Sequence, residues 1–152
     1  MNSLLLPQRY HLIGWIFLLI FLPLGLGVLF WEVEFDFFNL YFPWREGGGI
    51  FDLPKTENLT NEIAALGVLL GLVFICLART KNEDEFIGLL RLKSWHTAII
   101  VYAVVLGLTI VFIYGIEFFR VLVICIYLPF VFFYIRFRWF LMRLKKSMKH
   151  EE

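Results

Sequence analysis

The residues best suited to chemistry form an acidic triplet, Glu83, Asp84 and Glu85, in a charged stretch between two strongly apolar segments. Clustered carboxylates are the ligands that divalent cations such as Ca²⁺ prefer. Consecutive residues of a helix, however, point about 100° apart, so these three carboxylates do not converge on one ion. The triplet therefore predicts no metal site, and its functional interpretation is a surface that a partner contacts.

Other candidate catalytic groups are few. An enzyme acting on lipid needs convergent His, Asp, Glu or Ser side chains near the membrane surface. His11, His96 and Glu117 are the candidates, and the expected topology puts Glu117 on the opposite side of the membrane from both histidines. Cys76 and Cys125 have no CxxC or Cys/His spacing, and their different depths predict free, buried thiols. We predict a non-enzyme with no catalytic residue, metal or cofactor.

Membrane spans must position these groups. The chain of 152 residues is 61% apolar, which is more than a soluble domain of this size can bury. Stretches long enough to cross a bilayer lie at about 12–31, 62–80, 96–116 and 119–137. We predict a single all-α transmembrane domain over 1–152, an integral membrane bundle of four helices. It should have a long outer loop and a short interfacial helix between spans 2 and 3.

The basic residues are distributed unevenly around these spans. Of the 14 lysines and arginines, all but Arg45, Lys55 and Arg120 lie on one side. The positive-inside rule assigns that side, with both termini, to the cytoplasm. We therefore predict a multi-pass protein of the bacterial inner membrane. A cleaved signal peptide is the alternative for the first span, but an apolar run of about 20 residues exceeds the usual 7 to 15.

The interiors of the spans carry few polar groups. No Asp, Glu, Lys, Arg or His lies at mid-depth, where proton-coupled transporters usually need one. Gly67 and Gly71 form a GxxxG spacing, which suits either a homo-oligomer interface or packing of span 2 against span 3. Pro23 and Pro129 should kink spans 1 and 4, either at a gate or as ordinary membrane-helix kinks.

The outer loop, 32–58, is rich in aromatic residues. Its first part, WEVEFDFF, alternates acidic and apolar residues, and this period of two predicts strand-like structure. Aromatic side chains prefer the membrane–water interface. The loop is therefore either an interfacial anchor or a lid that senses a ligand.

The charged stretch has the pattern of a helix start. Asn82 suits the N-cap position, and Glu83, Asp84 and Glu85 of the first turn would then meet the positive end of the helix dipole. One face follows at the i, i+3, i+4, i+7 spacing: Phe86, Leu89, Leu90 and Lys93. We predict an interfacial helix from about Glu83 that can run on into span 3.

Residues 81–94 resemble the shared motif of a family of small, uncharacterised bacterial membrane proteins with about four spans. The motif reads K-x-E-D-E-[FY]-I-x-x-L-R-L-x-S and leads into an apolar span with a FIYG-like end. The matching residues are Lys81, Glu83, Asp84, Glu85, Phe86, Ile87, Leu90, Arg91, Leu92 and Ser94, then Phe112, Ile113, Tyr114 and Gly115. The resemblance covers roughly the C-terminal half, and the outer loop departs from it. Family members are often encoded beside small helix-turn-helix regulators, which implies a regulatory partner but no activity.

Two functions remain open from the sequence. The first is a non-enzymatic sensor or scaffold that contacts a cytoplasmic regulatory protein. The candidate docking residues are Glu83, Asp84, Glu85, Arg91 and Lys93. The alternative is a small transporter or channel subunit, which a continuous polar cavity would favour. The lipid bilayer is the expected surrounding, a homo-oligomer through Gly67 and Gly71 is a further option, and we expect no direct nucleic acid binding.

Overall fold

The computed structural model describes residues 5–31, 35–41, 56–81 and 84–148, which form an all-α bundle. The helices in these residues are α1 (Arg9–Trp31), α2 (Thr60–Leu77), α3 (Glu85–Phe112) and α4 (Ile116–Met148). All four are long and apolar enough to cross a membrane. The predicted fold class is confirmed.

α3 begins at Glu85, close to the predicted helix start at about Glu83, and runs on into span 3 as one helix. α4 extends further than predicted, to Met148 instead of residue 137. The predicted interfacial helix is therefore the first turns of α3 and not a separate element. At 1.5 Å per residue α4 is about 50 Å long, which exceeds a hydrocarbon layer of about 30 Å. Its last turns consequently lie beyond the apolar layer.

The start of α3 is capped by an aspartate. The Asp84 carboxylate accepts a hydrogen bond from the backbone N–H of Glu85 at 2.7 Å. The predicted N-cap, Asn82, and its neighbour Glu83 lie outside the described residues. The helix thus starts about two residues later than expected, and Asp84 takes the capping role that the sequence had assigned to Asn82.

α3 turns its large apolar side chains away from the bundle. Phe86 and Leu89, on the apolar face predicted from the sequence, are exposed, as is Lys93. The face buried in the bundle consists of Ile87, Arg91, Ser94, Ala98 and Thr109. This arrangement is the one expected in lipid, where small and polar residues pack between helices and large apolar residues face the hydrocarbon.

The bundle consists of two helix pairs. α1 packs on α2 and α3 packs on α4, and the two pairs meet mainly through α2 and α4. Most of the buried positions of α2 are small or apolar: Ala64, Gly67, Val68, Gly71, Leu72, Ile75 and Cys76. α2 is therefore the central helix. Cys76 and Cys125 are both buried and free, as predicted.

Close contact between α1 and α2 depends on glycine. A methyl group at Gly14 would lie 2.7 Å from the carbonyl oxygen of Gly71, and one at Gly67 would overlap the Phe21 ring. The predicted packing of the GxxxG face against span 3 is wrong, because the face contacts α1. Its small residues fix how closely a helix can approach, but their spacing does not identify which helix approaches. A homo-oligomer through Gly67 and Gly71 stays a prediction, and it would require α1 to leave this face.

Short elements lie at the end of the bundle where α2 begins. Strands β1 (Asn39–Tyr41) and β2 (Thr56–Asn58) pair antiparallel. Residues 36–38 form a 3-10 helix, so the strand-like prediction is wrong for them. Isolated short strands of this kind are only marginally stable. The Asn58 side-chain oxygen ties them to α2 by accepting a hydrogen bond from the Thr60 N–H at 2.9 Å.

A tight turn joins α3 to α4 at the same end. Gly115 has a φ of 71°, in the left-handed region that glycine enters without steric penalty. One turn into α4, Arg120 donates a hydrogen bond to Glu117 at 3.2 Å, and the two side chains lie on one face of the helix. Both side chains are substantially exposed, and the pair contributes about 1 kcal/mol or less.

We expect the Gly14→Ala variant to be destabilised by about 1–3 kcal/mol, because its methyl group overlaps the α2 backbone. Gly107→Ala is the matched control, since a methyl group there meets nothing within 4 Å. In the control, alanine's helix propensity should leave stability unchanged or raise it by up to about 1 kcal/mol. Thermal unfolding followed by circular dichroism in detergent measures both, and equal effects would contradict the proposed α1–α2 contact.

Candidate functional site

Arg91 lies at the basic end of the bundle, which comprises the starts of α1 and α3 and the ends of α2 and α4. Its side chain is buried, with 8% exposed. Nη1 donates a hydrogen bond to the Cys76 carbonyl at 2.7 Å, and Nη2 donates to the Ala78 carbonyl at 3.3 Å. Carbonyls at a helix C-terminus lack intrahelical donors and carry partial negative charge. Arg91 therefore satisfies the end of α2 from a neighbouring helix.

The guanidinium of Arg91 also begins a stack of rings between α3 and α4. It lies over the Phe137 ring, 4.7 Å from the centroid. Phe137 stacks on Phe133 at 5.6 Å, and Phe133 stacks on Trp95 at 4.4 Å. Phe133 is 0% exposed. Because each helix contributes residues one turn apart, a single face of each supplies the whole stack.

The segment before α1 completes the hydrogen bonds at this end. The N–H of Leu6 donates to the Leu77 carbonyl at 3.0 Å, and the N–H of Arg79 donates to the Leu6 carbonyl at 2.9 Å. Together with the two bonds from Arg91, these give a donor to each of three consecutive carbonyls, those of Cys76, Leu77 and Ala78. The end of α2 is thereby fixed both to α3 and to the segment before α1.

The candidate docking residues do not all lie on one surface. Asp84, Glu85 and Lys93 are exposed, and we refer to these three as the charged surface. Glu83 lies outside the described residues. Arg91, which the sequence grouped with them, is buried and bonded to α2, so it supports the charged surface from within and is not part of it.

The candidate catalytic groups lie at different places in the bundle. The His11 ring contacts the rings of Trp15 and Tyr134, with centroids 6.5 and 6.3 Å away. His96 is exposed on α3, and Glu117 lies in the first turn of α4, at the opposite end from the start of α1. Glu117 is therefore not brought near His11. Within residues 5–31, 35–41, 56–81 and 84–148, no three His, Cys, Asp or Glu side chains could hold a metal ion.

The structural role of Arg91 was missed by sequence reasoning. The sequence offered one signal for this role. Arg91 stands one helical turn before Trp95, in a segment predicted to be helical and close to the end of span 2. An ionisable residue that turns into a membrane bundle normally pairs with backbone carbonyls or other polar groups. The sequence, however, does not show where α2 ends relative to α3, and so it does not predict that Arg91 lies beside Ala78.

No protein-family model, curated protein or solved structure matches the chain.

We expect Arg91→Met to destabilise the protein by about 2–4 kcal/mol, because it leaves two α2 carbonyls without their donor and removes the cation from Phe137. Arg91→Lys should recover only part of this loss, since an ammonium group cannot span both carbonyls and stack on a ring. Equilibrium unfolding in mixed micelles measures the change.

Lys93→Met removes one positive charge from the same helix, but at an exposed position, and serves as the control. Its effect should stay within about 0.5 kcal/mol. Equal stability of the Arg91→Met and Lys93→Met variants would show that the buried contacts of Arg91 do not hold the basic end together.

Proposed function

We propose that the chain is a non-enzymatic scaffold or sensor of the bacterial inner membrane. Its basic end faces the cytoplasm, and the charged surface of α3 contacts a cytoplasmic regulatory protein. Asp84, Glu85 and Lys93 provide the polar contacts, and Glu83, next to them in the sequence, extends the acidic part.

The charge distribution supports this orientation. The ends of α2 and α4 and the starts of α1 and α3 lie together at the basic end, and they carry most of the 14 lysines and arginines. Retention of basic residues on the cytoplasmic side is the usual determinant of topology. The opposite end carries the described pair Glu117 and Arg120, whose charges balance.

The observation that carries the docking proposal is the rigid support beneath an exposed, charged helix start. Arg91 is hydrogen-bonded to α2 and stacked on Phe137 of α4, within the same turns of α3 that present the charged surface. Asp84, Glu85 and Lys93 are all exposed on these turns. When a charged surface is held in place in this way, little conformational entropy is lost on binding.

The second candidate function is a transporter or channel subunit, and one cavity favours it. A cavity of about 760 Å³ lies between α1, α2 and α4, with Asn61, Glu62 and Arg120 among its lining residues. Its walls are otherwise mainly apolar, and it shares no lining residue with a second cavity at the basic end. Tyr134 lines this second cavity, and its ring lies 6.0 Å from the Trp15 ring of α1. A continuous polar path is therefore not formed by the described residues, and we favour the scaffold.

The test is site-specific crosslinking in intact cells with the Asp84→Asn, Glu85→Gln double variant. Asparagine caps a helix as well as aspartate does, so the fold should be retained. The yield of the crosslinked partner should fall about two- to thirtyfold, as each lost charge pair contributes roughly 0.2–1 kcal/mol. Mass spectrometry of the crosslinked band identifies the partner.

The Glu62→Gln, Glu117→Gln double variant makes the same change in net charge at the opposite end of the bundle. It should leave the crosslinked partner and its yield unchanged. An identical partner list and yield for the wild type and both double variants would exclude the charged surface as the docking site.

A further inference from the structure

A cavity of about 690 Å³ opens at the basic end between the start of α1, the link after α2 and the last turns of α4. It lies where α1 begins at Arg9 and α2 ends at Leu77. In a bilayer, this level is the boundary between the hydrocarbon and the lipid headgroups. The cavity therefore lies at the depth of phospholipid headgroups.

The described lining of the cavity is positively charged. Its lining includes four cationic side chains, those of Arg9, Arg79, Lys81 and Arg138, and none of its described lining residues is acidic. By contrast, Glu62 and Arg120 of the other cavity have opposite charges. Cations gathered in a cleft with low-dielectric walls attract an anion.

One of these cations lies beside an aromatic ring. The Arg138 guanidinium lies 5.8 Å from the centroid of the Tyr134 ring, which also lines the cavity. Arginine is the side chain that best matches phosphate oxygens, because its planar N–H groups form paired hydrogen bonds. The cavity thus presents a phosphate-binding group next to an aromatic side chain.

The side of the cavity that faces away from the basic end is apolar. It includes Leu12, Ile75 and Phe137, which come from three helices. A soluble anion would gain nothing from this wall, whereas the first methylenes of acyl chains would bury apolar surface against it. Cationic groups beside an apolar wall at headgroup depth match the chemistry of an anionic lipid.

We propose that this cavity binds the phosphodiester headgroup of an anionic phospholipid. Arg9, Arg79, Lys81 and Arg138 surround the phosphate, and the apolar wall takes the start of an acyl chain. This site is separate from the charged surface proposed for a protein partner, so either proposal can fail without the other.

Native mass spectrometry of the full chain, released from micelles at about 150 mM ionic strength, tests the proposal, because salt at this level screens exposed charges. The probes are phosphatidylglycerol and phosphatidylcholine with the same acyl chains. Phosphatidylglycerol should bind at least tenfold more tightly. The Arg9→Gln, Arg138→Gln double variant should lose about thirtyfold of that affinity, at roughly fivefold for each cation.

The matched control is Arg143→Gln, Lys146→Gln, which removes two exposed cations of α4 that do not line the cavity. Its affinity for phosphatidylglycerol should fall less than threefold. Lys81→Gln gives a second, independent cavity variant with an expected loss of about fivefold. The melting temperature of each variant, measured without added lipid, shows whether a loss of lipid affinity comes from misfolding.

Three results would overturn the proposal. The first is equal binding of the two lipids by the wild type. The second is an equal loss of affinity for phosphatidylglycerol in the cavity and control variants, which would mean that the lipid is attracted to the basic end in general and not to the cavity. The third is displacement of phosphatidylglycerol by millimolar inorganic phosphate, which would mean a site for a soluble anion.

Discussion

The buried guanidinium of Arg91 is the interaction on which the basic end of the bundle depends. A charge inside a membrane protein is tolerated only with close polar partners, and the open carbonyls at the end of a helix need donors. The structure meets both requirements at once, because Arg91 donates to the carbonyls of Cys76 and Ala78. α2 can therefore end abruptly beside α3, and the link that follows stays at the surface.

Packing around this junction follows the rules of a bundle in lipid. Glycine brings α1 against α2, and aromatic rings fill the contact between α3 and α4. The large aliphatic side chains point outward, as with Leu19 of α1, which is 77% exposed. Packing and hydrogen bonds, and not the burial of aliphatic surface from water, must therefore hold the helices together. The two cavities lie along the cleft in which α1 and α4 are bridged chiefly by aromatic rings.

The sequence predicted the helices well because a run of apolar residues has few alternatives in lipid. It placed the start of α3 within about two residues, but it did not predict the length of α4, because residues 138–148 continue that helix with no proline or glycine to break it. The spacing of Gly67 and Gly71 identified a close-packed face but not its partner, α1, because a helix pattern contains no information on which neighbour covers it. For the site, the exposure of Asp84, Glu85 and Lys93 follows from their charge. The inward direction of Arg91 depends on where α2 stops, which is a tertiary property.

A double-mutant cycle between Arg91 and Phe137 tests the central claim most directly. The free energies of unfolding of the wild type, Arg91→Met, Phe137→Leu and the double variant give the coupling between the two side chains. The contact geometry, 4.7 Å from guanidinium carbon to ring centroid in a buried setting, predicts a coupling of about 1–2 kcal/mol. Additive effects, within about 0.3–0.5 kcal/mol, would contradict the claim that this pair joins α3 to α4.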